Sequence, residues 1–228
     1  LNECESALTL AVNVMLLPVN SLFVATAGMT SVDGKCKFLD ERANGYVRSE
    51  GVGGMLLEPE SETRAAVEPA TRLPGSSVRS DGKSASLTAP NGEAQVRLLQ
   101  RAMLFGALEP ADVHTAECHG TGTALGDPIE VTALRQALIA PGTADVPKVL
   151  AGIKANLGHM EPVAGMIGLL KLHSSLRSTT AATNAHLRVL NPHVGRALKL
   201  AECTLAAQCT PIVAGNPLSW IVAGGVSS

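Results

Sequence analysis

The sequence predicts a layered α/β fold, and three observations carry that reading. Short apolar segments of strand character alternate with amphipathic segments, in the order strand, strand, helix, strand, helix, strand, helix. Ala, Val and Leu are abundant and are punctuated by 22 glycines, as close packing of helices on sheets requires. At 228 residues, 46% of them hydrophobic, the chain is long enough for one domain of ordinary size or part of a larger one.

Ala7 to Leu17 (ALTLAVNVMLL) is apolar, rich in β-compatible residues and stopped by Pro18, which predicts a buried strand. Ser31 to Gly34 (SVDG) is a turn, because Asp-Gly supplies the positive φ of a tight reversal. Tyr46 to Glu58 alternates loosely and carries Gly51, Gly53 and Gly54, which predicts a strand approached closely by another backbone. Pro59 to Arg72 is polar and reads as an exposed connection, followed by small polar residues from Gly75 to Asn91. Glu93 to Phe105 places Val96, Leu99 and Met103 on one helical stripe. A second helix starts at Asp127 as cap, with Pro128 at the first helical position, Glu130 completing a capping box, and Val131, Leu134 and Leu138 as its apolar stripe. A third starts near Pro162 and carries Val163, Met166, Ile167 and Leu170. Its Gly165 and Gly168 predict close packing against that face. Val113 to Cys118 and Val149 to Ile153 are inner strands between the helices, and Ser219 to Val226 is a further apolar strand.

Composition excludes several classes of function. With 18 Lys+Arg against 20 Asp+Glu, the net charge of -2 gives no footprint for a phosphate backbone, so nucleic acid is not an expected partner. Aromatic residues at 2% argue against base stacking and sugar platforms. No apolar run reaches the roughly 20 residues that span a bilayer, and the opening residues lack the pattern of a signal peptide. Five scattered cysteines point to a reducing compartment and a cytoplasmic setting rather than a disulfide framework. The start at Leu1 and the stop at Ser228, directly after an apolar segment, read as an internal piece of a longer protein.

Both inner strands run into histidine-bearing loops: Glu117-Cys-His-Gly-Thr-Gly-Thr-Ala-Leu-Gly-Asp127 and Gly152-Ile-Lys-Ala-Asn-Leu-Gly-His159. Ligands of open α/β sheets gather outside the carboxyl ends of strands, so His119 and His159 are placed where one site could hold both. Lone loop histidines are usually structural, but two in glycine-rich turns at strand ends are a different case. Gly120 to Gly126 could instead cradle a phosphate, although it lacks the Gly-Lys-Ser/Thr ending of a P-loop and the dinucleotide fingerprint. Cys118 beside His119 has no second Cys within four residues to make a chelating pair, so no metal is expected.

The chain resembles the β-ketoacyl synthase (ketosynthase) domains of polyketide synthases and type I fatty acid synthases. The resemblance rests on DGKCKFLDERANGYVRSEG (33–51), SASLTAPNGEAQ (84–95), HGTGTALGDPIEV (119–131), GIKANLGHMEPVAG (152–165) and LNPHV (190–194), in the family's order. It implies a thiolase-like fold of two related halves, each a mixed sheet covered by helices, and commonly a homodimer. Residues 1–72 would end the first half, and residues 73–228 would form most of the second, without its last conserved loop.

The implied reaction is a decarboxylative Claisen condensation. An acyl group sits on a cysteine, a malonyl-type unit arrives on the 4'-phosphopantetheine arm of an acyl carrier protein, carbon dioxide leaves, and the enolate attacks the acyl thioester. No other cofactor is implied. His119 and His159 match the family's two histidines, which donate to the charge that develops on the thioester oxygen. Lys154 matches its lysine, a cation that would tune the surroundings of His159. Thr121 and Thr123 match positions that hydrogen-bond the pantetheine arm, and they could equally be local turn stabilisers.

The family's nucleophilic cysteine lies upstream of the strand matching Ala7–Leu17, and none of the five cysteines replaces it by motif. Val78-Arg-Ser-Asp-Gly82 departs from the family's Asn-His-Asp-Gly-like turn, and Ala197 to Leu218 matches weakly. Condensation in fatty acid synthesis rather than polyketide synthesis is the nearest alternative. A non-catalytic homologue acting as a binding or dimerisation partner is another, against which His119, Lys154 and His159 speak. A thiolase-like acyl-CoA enzyme ranks last, because its histidine motifs differ.

Overall fold

The inner strands pair as a parallel sheet at the centre of a computed structural model that describes residues 4–59, 71–82, 89–139, 148–198 and 203–211. The elements in chain order are β1 (Ala7–Asn13), α1 (Val19–Thr26), β2 (Gly51–Leu57), α2 (Gly92–Phe105), β3 (Thr115–Glu117), α3 (Gly126–Leu138), β4 (Lys148–Ala151), α4 (Lys154–Leu157), α5 (Ala164–Ser178), β5 (Thr180–Ala181), α6 (Pro192–Leu198), β6 (Cys203–Leu205) and β7 (Thr210–Pro211). The central sheet has the order β3-β4-β6 and is parallel throughout, with Ala116 opposite Leu150 and Leu150 opposite Leu205. β1 and β2 form an antiparallel ribbon that pairs Leu10 with Gly54, and β5 pairs with β7 in the same sense.

The core lies between this sheet and the helices α2, α3 and α6. Phe38, Val113, Val131, Leu134, Leu138, Leu150, Val194 and Leu198 are all buried in it. The predicted stripe Val131, Leu134 and Leu138 faces inward, and complete burial of each such side chain stabilises by about 1.5–3 kcal/mol. On α2, Met103 is buried, with Val96 and Leu99 packed against the same core. Asn91, which was not expected as a cap, starts α2 by accepting from Ala94 N at 3.1 Å.

Several expectations are corrected. The first strand ends at Asn13, and it is not buried: Leu8, Leu10 and Val12 stand on an exposed face, because among the described residues β1 pairs only with β2. Beyond Pro18 the chain forms α1, which no cap or amphipathic pattern announced. In β2 the close approach is made by side chains: a Cβ at Gly51 would meet Met160 Sδ at 2.7 Å, and one at Gly53 would meet Met166 Sδ at 2.7 Å.

The helix near Pro162 opens with a single 3₁₀ turn, Glu161–Val163, before α5. Among the described residues nothing packs close to Gly165, and Gly168 has an ordinary contact with Glu117 Cγ at 3.4 Å. Asp127 and Glu130 do not cap α3. Its N-cap is Leu125 with no side-chain bond, and both carboxylates are spent on the preceding loop. The apolar segment Ser219–Val226 and most of the connection 59–72 lie outside the described residues.

Candidate active site

The loop after β3 is shaped by what it must wrap around. Gly120 and Gly122 take φ of +55° and +76°, a region that side-chain-bearing residues rarely adopt. A Cβ on Gly120 would press on the Phe38 ring at 3.2 Å, and one on Gly122 would strike Lys37 N at 2.5 Å. The fully buried Phe38 is therefore a wedge under the loop, and Gly152 of the other loop meets the same ring, its Cβ position 2.8 Å from Cδ1.

Two buried carboxylates collect the loop's backbone donors. Glu130 accepts from His119 N, and from Gly120 N at 2.9 Å. Asp127 accepts from Gly122 N at 3.1 Å and Thr123 N at 3.3 Å with one oxygen, and from Leu39 N at 2.9 Å with the other. Burial pushes the Asp127 carboxyl up to about 7 and raises Glu130 as well, against the pull of these N–H groups.

The second loop leaves β4 through Gly152, whose N–H donates to Asn184 Oδ1 at 3.0 Å, and Ile153, whose N–H donates to Glu117 Oε1. The other oxygen of Glu117 accepts from Lys171 Nζ at 2.7 Å, a buried ion pair that joins β3 to α5. Lys154 opens the one-turn α4, and Gly158, at φ +78°, turns the chain back. His159 is then held by its backbone: His159 N donates to Val47 O at 2.8 Å, and Ser49 N donates to His159 O at 3.0 Å. Its ring is fixed too, because Glu161 N donates to Nδ1 at 3.0 Å. With Nδ1 an acceptor, the neutral ring carries its proton on Nε2.

These two loops bring the imidazoles together, with ring centroids 5.6 Å apart and planes at 86°. Tyr46 stands edge-on to His159 at 5.0 Å. Burial, then the Lys154 charge, pushes His119 down to about 3 and His159 down to about 4, so both rings are neutral at pH 7. Lys154 is itself buried, and its Nζ donates to His119 O at 2.6 Å. It therefore bonds to the backbone of the opposite loop and acts on the His159 ring only through its charge. Burial lowers its own pKa, while Glu130 and Glu117 oppose that shift.

Thr121 is buried in the loop, and Thr123 Oγ1 accepts from Gly126 N at 3.1 Å, the local turn bond that was the plainer reading of that residue. Cys36, Cys118 and Cys203 are buried, and Cys4 and Cys209 are exposed. An apolar groove of about 440 Å³ runs beside α5, lined by Ile153, Leu157, Ile167, Leu170 and Cys209 among others, and neither histidine lines it. Sequence reasoning missed Glu117, Asp127 and Glu130 as loop holders, and Arg48 and Glu161 around His159. The charged residues between HGTGT and the apolar stripe were visible, but were assigned to a helix cap instead.

Comparison with known proteins accounts for this arrangement. The model of the β-ketoacyl synthase C-terminal domain matches residues 71–188, and that of the β-ketoacyl synthase N-terminal domain matches residues 1–63. This chain belongs to the β-ketoacyl synthase family. It is 38% identical over 214 residues to the polyketide synthase GfsA of Streptomyces halstedii, covering 92% of this chain and 3% of that protein. It is 39% identical over 194 residues to the erythronolide synthase EryA2 of Saccharopolyspora erythraea, covering 84% of this chain and 5% of that protein. The oxazolomycin ketosynthase domain OzmH KS7 of Streptomyces albus JA3453 superposes with a TM-score of 0.82 at 33% identity, over 92% of this chain and 36% of that one. The module 6 ketosynthase of the bacillaene synthase of Bacillus subtilis 168 gives 0.82 at 28% identity, over 94% and 38%. The fold is thus the thiolase-like α/β fold of ketosynthases, and the chain spans little more than a third of those solved domains. No helix among the described residues is long and apolar enough to cross a membrane.

Proposed function

We propose that this β-ketoacyl synthase chain supplies the histidine pair of a condensing acyltransferase in polyketide assembly, with residues 1–72 ending the N-terminal half of the domain and residues 73–228 forming its C-terminal half. The observation that carries the proposal is the juxtaposition of two neutral imidazoles 5.6 Å apart, one with its Nε2–H tautomer fixed by Glu161 N. A malonyl-type thioester, delivered on the phosphopantetheine arm of an acyl carrier protein, places its carbonyl oxygen between the rings. The bond to the carboxylate breaks, carbon dioxide leaves, and the electron pair moves onto the thioester oxygen as an enolate. His119 and His159 donate to that oxygen, and preorganised donors of this kind are worth about 2.7–4 kcal/mol each.

The enolate carbon then attacks the acyl thioester on the family's nucleophilic cysteine. The new carbon–carbon bond forms and the cysteine thiolate leaves. Lys154 holds the His119 loop and its charge adds to burial in keeping both rings neutral, and Thr121 and Thr123 line the approach of the pantetheine arm. The complete protein works in the cytoplasm as a homodimer. The test is carbon dioxide release from a malonyl carrier-protein thioester by the polypeptide that carries this chain. His159→Ala should lower it by a factor of about 10²–10³. A variant as fast as the parent would refute the role.

A further inference from the structure

His159 is clamped from its Nδ1 side. Arg48 lies on the segment whose backbone bridges His159, and its side chain is largely buried. The guanidinium grips Glu161 with both forks, Nε to Oε1 at 2.7 Å and Nη2 to Oε2 at 2.9 Å. Its third bond, from Nη1 to Ser21 Oγ at 2.8 Å, anchors it to α1. Glu161 is the residue whose backbone N–H fixes the His159 ring, and its φ is +48°, a conformation that a glutamate adopts only when its surroundings impose it.

We propose that Arg48 is a positioning residue for His159. By holding the Glu161 carboxylate in a two-pronged ion pair, it keeps the strained Glu161 backbone N–H aimed at Nδ1 and so enforces the Nε2–H tautomer that the reaction needs. The inference rests on the proposed role of His159 as a donor.

The charges agree with this geometry. The groups that face His159 are Lys154 from α4, Glu161 from the 3₁₀ turn, Arg48 and Tyr46 from the segment before β2, and His119 from the loop after β3. Lys154 and Arg48 favour the neutral ring, and Glu161 favours the imidazolium. A bidentate guanidinium neutralises Glu161 more completely than a lysine could, because the planar fork matches both carboxylate oxygens. Without Arg48, the Glu161 charge faces His159 unpaired, and the N–H that selects the tautomer is free to turn away.

The experiment uses the polypeptide that carries this chain, labelled with ¹⁵N-histidine, with the His159 signals assigned by their loss in His159→Gln. In the parent, His159 should be the Nε2–H tautomer and remain neutral down to low pH. Arg48→Met should mix the tautomers, raise the His159 pKa by about 1 unit or more, and move the acid limb of malonyl thioester decarboxylation upward by the same amount. Arg48→Lys, which keeps the charge but not the fork, should mix the tautomers with a smaller change in pKa, and it serves if the methionine variant does not fold. Glu161→Gln, which keeps the backbone N–H without the charge, should not raise the pKa. An unchanged tautomer and pKa in Arg48→Met, or in Arg48→Lys where only that variant folds, would overturn the proposal even if activity fell. A parent that shows the Nε2–H tautomer but releases no carbon dioxide would refute the catalytic reading and leave the clamp standing.

Discussion

Lys154 Nζ donates to the backbone carbonyl of His119 at 2.6 Å, tying the turn after one inner strand to the loop after its neighbour. The lysine is buried, so its charge acts on both imidazoles through a medium that screens it poorly. That one contact gives the lysine two duties, a mechanical tie and an electrostatic one, and they separate experimentally.

In Lys154→Met, both duties are lost. His119 and His159, held at about 3 and about 4 by burial and then by this cation, should titrate at higher pH. A ring with a depressed pKa stays neutral until the pH falls through that value, so the acid limb of decarboxylation should move up when the cation is removed. The pH–rate profile is the measurement. A profile that keeps its acid limb in place would leave only the mechanical tie.

Glu130 accepts the backbone N–H groups of His119 and Gly120, so Glu130→Ala leaves one part-buried and one buried donor without that partner. Each such donor costs about 1–3 kcal/mol when fully buried, and we expect a loss of roughly 2–6 kcal/mol by denaturant unfolding. Glu130→Gln retains an acceptor oxygen and should lose less.

How much of this was legible in the sequence follows from the kind of interaction involved. The stripe Val131, Leu134 and Leu138, the strands around Ala116 and Leu150, and the meeting of His119 with His159 were readable because periodicity and strand-end geometry are local rules. The carboxylates of Asp127 and Glu130 were misread because the cap pattern and the loop-holding pattern share the same residue types. Only the position of the loop backbone over Phe38 decides between them. Arg48 and Glu161 lie 113 residues apart, and no local signal joins them. The predicted burial of β1 failed for a related reason: an apolar run shows what a strand can bury, whereas the structure shows what it packs on.

The glycines divide by the space around them. Gly122→Ala puts a methyl group 2.5 Å from Lys37 N at φ +76°, where neither the backbone nor the neighbour can give, and should cost more than about 1 kcal/mol. Gly165→Ala, in α5 with no described atom within 4 Å of the added methyl, should instead stabilise by a few tenths to about 1 kcal/mol through helix propensity. Opposite signs in thermal unfolding are the expected result.

Lys171→Met removes the cation from the buried pair with Glu117 and leaves that carboxylate with Ile153 N as its remaining donor among those described. Breaking such a pair from one side typically costs about 3–5 kcal/mol, and replacing both members costs less. A double-mutant cycle with Glu117→Gln should therefore show coupling between the two sites, and additive losses would show that the pair is not a unit.

In the proposed reaction the acyl group sits on a cysteine, and no cysteine of this chain matches the nucleophile turn that the resemblance implies. Cys118 is the nearest to His119 in sequence, but it is buried, and its Sγ approaches Ala116 O at 3.9 Å. Burial, then the negative charges of Glu130 and Glu117, pushes its thiol well above the ordinary range, with Lys171 opposing only in part. Burial raises the Cys36 thiol as well. A thiol with a raised pKa holds almost no thiolate at pH 7, and the thiolate is the nucleophile. Incubation with an acyl carrier-protein thioester, followed by mass spectrometry of peptides, should show no acyl group on Cys118 or Cys36. Iodoacetamide should label the exposed Cys4 and Cys209 while sparing the buried thiols. A stable acyl adduct on Cys118 would show that this chain carries its own nucleophile, and the assignment of that role to the family's upstream cysteine would fall.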